Sequence, residues 1–202
     1  TGSLSEENQC AIQTSFSTNL YWPYEWECPV TQITQENIHE AVDAWLEDSV
    51  STEAAYGHIS AWDVSNVTDM KQLFFNAFSF NADISNWDVS NVTDMREMLL
   101  VAQSFNGDLS SWDVSSVTNL HRMFEGATSF NGDLSSWDVS SVTDMSFMFR
   151  NASSFNGDLS SWDVSNVTNM ADMFEGANSL YEDNQCAIQT SFSINPIWPY
   201  PW

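Results

Sequence analysis

Positive charge is almost missing from this 202-residue chain: Lys71, Arg96, Arg122 and Arg150 stand against 28 Asp and Glu residues, for a formal charge of -24. Nucleic acid and anionic membrane surfaces are recognised by clustered cations, so neither is an expected partner. Long apolar runs are missing too. No stretch approaches the roughly 18 residues that span a bilayer, and the opening TGSLSEENQC has neither the basic start nor the apolar stretch of a signal peptide. Cysteine is scarce, with no close pair among Cys10, Cys28 and Cys186, which argues against a zinc site. His39, His58 and His121 lie in unrelated contexts, without a nucleophile motif or a glycine-rich phosphate loop, so no catalytic residue is assigned and no enzyme is expected. The means to build a core are not scarce: at 43% hydrophobic and 14% aromatic residues the chain is expected to fold.

What is abundant is repetition. Trp62, Trp87, Trp112, Trp137 and Trp162 stand 25 residues apart, and residues 113–137 and 138–162 agree at 18 of 25 positions. Apolar columns keep the same period, among them Val67 to Val167, Met70 to Met170, Leu73 to Met173 and Phe80 to Leu180. The five or six apolar side chains of one repeat are worth about 10–15 kcal/mol if buried, against roughly 25–50 kcal/mol of backbone ordering entropy. One repeat cannot stand alone, so neighbours must stack, as in a solenoid.

Within a repeat, SSWDVSSV reads as a short strand. VTDMSFMF reads as a helix start, with Thr143 as cap and Met145, Met148 and Phe149 at helical spacing. FNGD supplies a turn in which Gly157 takes a positive φ. Upstream, Ile38, Ala41, Val42, Trp45 and Leu46 predict an amphipathic helix capped by Thr34 that covers the first coil. The expected fold is an α/β solenoid of about five coils, each with one strand and one short helix.

The pattern W-D-V-S-N-V-T-D-M, followed by M-F and A-x-S-F-N-x-D-L/I, resembles the BspA-like surface-protein repeat, a leucine-rich-repeat relative found in tandem on bacterial and protist surface proteins. The resemblance covers about residues 57–182, and AVDAWLEDSVSTEAAYGHISAWDVSNVTDM resembles the stretch that precedes such arrays. It implies a leucine-rich-repeat-like solenoid with a surface-exposed, adhesive or structural role. It carries over no catalytic residue.

Residues 8–26 and 184–202 match at 15 of 19 positions, an offset of 176. The expected organisation is therefore the tail of a preceding block (1–7), a Cys/Pro/aromatic junction (8–33), a capping helix and lead-in (34–56), the coils (57–183) and the start of a next junction (184–202), in a longer chain of recurring blocks. Cys10 and Cys28 are expected to close the junction as a disulfide, with Cys186 finding its partner beyond residue 202; such a loop contributes about 3 kcal/mol and belongs in an oxidising compartment.

Several columns are candidates for chemistry. Asp63, Asp88, Asp113, Asp138 and Asp163 stack in one column, and Asp83, Asp108, Asp133 and Asp158 in another. Either their carboxylates accept backbone N–H groups in turns, the favoured reading, or they bind calcium, the one cofactor considered. Asn66, Asn91, Asn151 and Asn166 head N-glycosylation triplets that would carry covalent glycans, and the column of Asn66, Asn91 and Asn166 equally suits a ladder in which the amides satisfy backbone groups. The Trp column reads as core rather than as a platform for sugar rings. Trp22, Tyr24 and Trp26, with Trp198, Tyr200 and Trp202, either dock on a neighbouring block or cap the nearest coil. Together these features predict an extracellular or cell-surface structural protein that forms a glycosylated filament or fibre from blocks of about 176 residues, its partners being further blocks; the alternative is a binding module that recognises a glycan or host protein through one face.

Overall fold

The computed structural model describes residues 30–202. Among them are three α-helices, α1 (Ile38–Glu47), α2 (Ser49–Tyr56) and α3 (Glu182–Phe192), and one 3₁₀ turn at Ile59–Ala61. Between the helices the chain winds through stacked 25-residue coils. Successive coils are joined by a ladder in which the N–H of residue i donates to the C=O of residue i+24: Met145 to Asn169, Phe147 to Ala171, Phe149 to Met173 and Asn151 to Glu175 at the last interface, with four equivalent bonds at each of the other three.

This ladder overturns the expected fold class. Among the described residues there is no sheet, only isolated parallel bridges linking Asp69, Asp94, Asn119, Asp144 and Asn169 in turn. There is no helix at 143–149 either. The residue types were read correctly as inward-facing, but their backbone follows a tighter path. Met148 N–H donates to Met145 C=O, Arg150 N–H to Phe147 C=O and Ala152 N–H to Phe149 C=O, closing successive turns, while the alternating N–H groups of Phe147, Phe149 and Asn151 point at the next coil. A helix would need those same donors for its own i−4 carbonyls. The α/β, leucine-rich-repeat-like solenoid of one strand and one helix per coil is thus replaced by a stack of turns.

Two columns carry the conformational cost. Gln72, Glu97, Arg122, Phe147 and Asp172 all have positive φ, as do Asn76, Val101, Gly126, Asn151 and Gly176 four residues on. Positive φ costs a residue with a Cβ about 1–2 kcal/mol, and the inter-coil bonds hold it there. Val101 is the worst fit, a β-branched residue where its equivalents are Asn or Gly. Val101→Asn is expected to raise the unfolding free energy by about 1 kcal/mol, measured by urea titration. Gly157, by contrast, does not have a positive φ; a Cβ there would lie 2.8 Å from Cζ of Phe155, so close approach of that ring is what its bare Cα allows.

The core is a set of columns. Trp62, Trp87, Trp112, Trp137 and Trp162 are buried, and so are the Val, Met, Phe, Ala and Leu columns around them. Phe80, Phe105, Phe130 and Phe155 stack face to face at 5.7–6.2 Å between centroids. The first coil is closed by α1, whose Ile38, Ala41, Val42 and Trp45 are buried, with Trp45 edge-on to Trp62 at 6.0 Å. Leu46, predicted on the same face, is exposed. Thr34 does not cap the helix with its hydroxyl; Asn37 takes the cap position, and its Oδ1 accepts the Thr34 N–H at 2.7 Å.

Candidate functional site

The aspartate columns serve local turns. In each of Asp63, Asp88, Asp113, Asp138 and Asp163, Oδ1 accepts the N–H of the serine two residues on, at 3.0–3.1 Å. Asp83, Asp108, Asp133 and Asp158 do the same with Ser85, Ser110, Ser135 and Ser160. Among the described residues no group of three or more His, Cys, Asp or Glu side chains is arranged to hold a metal ion.

These bonds set a pH dependence. Hydrogen bonds from the serine hydroxyl and backbone hold the carboxyls of Asp63, Asp113 and Asp138 below the ordinary aspartate value, and backbone bonds first, then hydroxyls, do so for Asp83, Asp108, Asp133 and Asp163. A depressed folded-state pKa stabilises above the unfolded value and loses that contribution as pH falls through the folded one. Stability from this source is therefore expected to hold from pH 7 to about 4 and to drop below it. Replacing Ser65, Ser115 and Ser140 together by Ala is expected to flatten that acid limb in urea titrations.

The indole N–H groups of Trp87, Trp112, Trp137 and Trp162 donate to the carbonyls of Ile59, Ile84, Leu109 and Leu134 on the coil before, so the column is core and offers no ring face to a sugar. Asn91 and Asn166 use their amides on the Ser65 and Ser140 carbonyls of the preceding coils, at 2.9 and 2.8 Å, which is the ladder role. Asn66 and Asn151 are exposed. Neither the described residues nor the comparisons below support the filament, glycoprotein or extracellular features expected together with a strand-built solenoid.

All four lysine and arginine residues, Lys71, Arg96, Arg122 and Arg150, fall in the ladder segments of successive coils. Arg96 pairs with Asp94 at 2.8 Å. Buried Glu125 binds Arg150 through Nε at 2.9 Å and through Nη2, and faces Arg122 Nε at 3.3 Å, while both guanidinium groups lie over the Phe147 ring at 5.1 and 4.6 Å. The hydrogen bond from Arg150 to Glu125 raises the arginine's already high pKa. Beside it, His121 Nδ1 lies 2.7 Å from Ser146 Oγ, which is also 2.5 Å from Asp144 Oδ1. Serine, histidine and aspartate here do not form a relay: the carboxylate engages the serine directly, and Ser146 is 1% exposed. These pairs hold neighbouring coils together.

The two ends of the stack are where unsatisfied backbone is met by side chains. At the first coil, Gln35 Oε1 accepts the N–H groups of Thr68 and Asp69, both at 2.9 Å, and its Nε2 donates to Asp69 C=O at 3.1 Å. At the last coil, Phe174 N–H has no further coil to bond and donates to Tyr200 Oη at 2.8 Å. Desolvation raises the Tyr200 pKa, so the phenol stays protonated. Asn195, 5% exposed, donates to Val164 C=O at 2.7 Å and Val167 C=O at 2.8 Å, and Ser191 Oγ donates to Ser160 C=O. Phe192 and Ile188 are fully buried, and Trp198, Tyr200 and Trp202 cluster on Phe174 with centroids 5.5–6.3 Å away. Trp198, Tyr200 and Trp202 therefore cap the nearest coil, and residues 182–202 form a lid. Cys186 is exposed on α3. Cys10, Cys28, Trp22, Tyr24 and Trp26, and with them the disulfide and the first junction, lie outside the described residues.

No helix among the described residues is long and apolar enough to cross a membrane. A family model described as "Mycoplasma protein of unknown function, DUF285" matches residues 45–140 and 111–192, which together run from α1 through every coil to the end of α3. No match was found among curated proteins or among solved structures.

Proposed function

We propose that this chain, which belongs to the DUF285 family, is a non-catalytic structural repeat protein whose blocks are set end to end in an extended array outside the cell or at its surface. The observation that carries this reading is the unbroken ladder, four main-chain bonds at each coil interface in constant register. Such a stack fixes the advance per coil and resists bending, because every coil is bonded to both neighbours through backbone rather than through mobile side chains. The charge of -24 supports a role away from nucleic acid and anionic lipid. The 15-of-19 recurrence of residues 8–26 at 184–202 supports neighbouring copies of the same block as the partner.

Electron microscopy of the native material tests this. A constant axial repeat of one block is the expected result. Separate particles with no constant repeat, bound through one face to a glycan or protein, would instead establish a binding module and end the structural reading.

A further inference from the structure

Gly107, Gly132 and Gly157 each follow an asparagine, Asn106, Asn131 and Asn156, and each makes room for a ring: a Cβ on any of them would lie 2.8–3.0 Å from the phenylalanine two residues before. That packing requirement carries a chemical liability. With no side chain on the glycine to hinder it, the backbone turns freely enough for the glycine nitrogen to reach the asparagine Cγ, the geometry of succinimide formation.

Between coils the asparagines are locked against this. Oδ1 of Asn81 accepts the Asn106 N–H at 2.9 Å, Oδ1 of Asn106 accepts the Asn131 N–H at 2.8 Å, and Oδ1 of Asn131 accepts the Asn156 N–H at 2.8 Å. Freeing Asn106 or Asn131 for the rotation the reaction needs means parting two coils joined by four ladder bonds. Asn156 has no coil after it. Its Oδ1 accepts Tyr181 N–H at 2.9 Å and Asn184 Nδ2 at 3.1 Å, and its C=O accepts Asn184 Nδ2 at 2.8 Å, so the lid and the residue leading into it supply the whole restraint. Among the described residues no backbone-to-backbone hydrogen bond joins 182–202 to the coils. A layer tied by side chains opens at lower cost than one tied by a main-chain ladder.

We propose that Asn156 is a site of covalent modification gated by the lid: when residues 182–202 lift away, the Gly157 nitrogen attacks Cγ of Asn156. The N–Cγ bond forms, the Cγ–Nδ2 bond breaks, and the Gly157 amide proton leaves with the side-chain amine as ammonia. Water then opens the ring at one of its two carbonyls, giving aspartate or isoaspartate. The isoaspartyl product routes the main chain through Cγ and lengthens it by one atom at the point where the lid is anchored. The competing rule, reaction in order of side-chain exposure, places Asn106 and Asn131, both exposed, ahead of half-buried Asn156.

The order of reaction therefore tests the proposal. The full chain is held folded in mildly alkaline buffer, and the three sites are followed by peptide mass mapping that separates aspartyl from isoaspartyl products. Product is expected first at Asn156. In concentrated guanidinium chloride all three are expected to react alike, since each lies in the same FNGD sequence. Asn195→Ala removes the lid's bonds to the Val164 and Val167 carbonyls and is expected to speed reaction at Asn156 about tenfold, or about 1.4 kcal/mol of opening free energy, leaving Asn106 unchanged. Equal rates at the three sites in the folded chain, reaction first at Asn106 or Asn131, or a folded Asn195→Ala variant no faster at Asn156 than the parent overturns the proposal. If circular dichroism shows that variant unfolded, the order of the three sites in the unsubstituted chain decides.

Discussion

Deleting Ser146 is expected to abolish cooperative folding, whereas deleting all of residues 113–137 leaves a folded, shorter stack. The ladder bonds alternate residues, so a one-residue slip presents the wrong set of N–H groups to the next coil and turns the core side chains outward. Residues 144–151 take part in eight such bonds, four accepted from Arg122's coil and four donated to Asn169's. At about 1 kcal/mol net each, their loss matches the whole stability of an ordinary domain, about 5–15 kcal/mol. Removing 113–137 joins Trp112 to Asp138, one full period on, and every column stays in register. The local loss is the carboxylate of Glu125, which leaves Arg150 beside Leu100. Circular dichroism melts check both: no transition for the one-residue deletion, and a cooperative one with a smaller unfolding enthalpy for the 25-residue deletion.

Phe130→Ala should cost about 3–5 kcal/mol. Phe130 is fully buried, stacks on Phe124 at 4.1 Å and lies between Phe105 and Phe155 in its column, so no single neighbour can move to fill the space without leaving its own place in the stack. Because each coil is stabilised mainly by the coils beside it, the loss is expected to spread. Hydrogen exchange should show reduced protection in the ladder amides on both sides, at Val101 and Gly126, before it changes at Gln72. Phe75→Ala, at a side chain 45% exposed, is the control and should shift stability by no more than about 0.5 kcal/mol. Equal effects at the two positions would contradict the column-built core.

The turns around the aspartates were legible because Asp followed two residues later by Ser makes its hydrogen bond locally, whatever the rest of the chain does. The pairing of the cations was not. Lys71, Arg96, Arg122 and Arg150 do not share one column, and only the inter-coil register shows that Glu125 reaches an arginine 25 residues away. Asn195 had a readable signal, its recurrence as Asn19, but the carbonyls it bonds belong to a turn 28 to 31 residues earlier.

The amino-acid order by itself determined the 25-residue period, the core columns that run from Trp62, Val67, Met70, Leu73 and Phe80, and the helix over the first coil, since each follows from side-chain polarity repeated at fixed spacing. Tertiary structure alone decided the backbone path between those points. Met145, Met148 and Phe149 fit the inner face of a helix as well as that of successive turns, and the choice rests on whether their amides bond within the coil or across to the next. It likewise decided that Trp198, Tyr200 and Trp202 close the stack. Aromatic residues beside proline will bury themselves on whichever apolar face lies within reach, and which face that is depends on the fold.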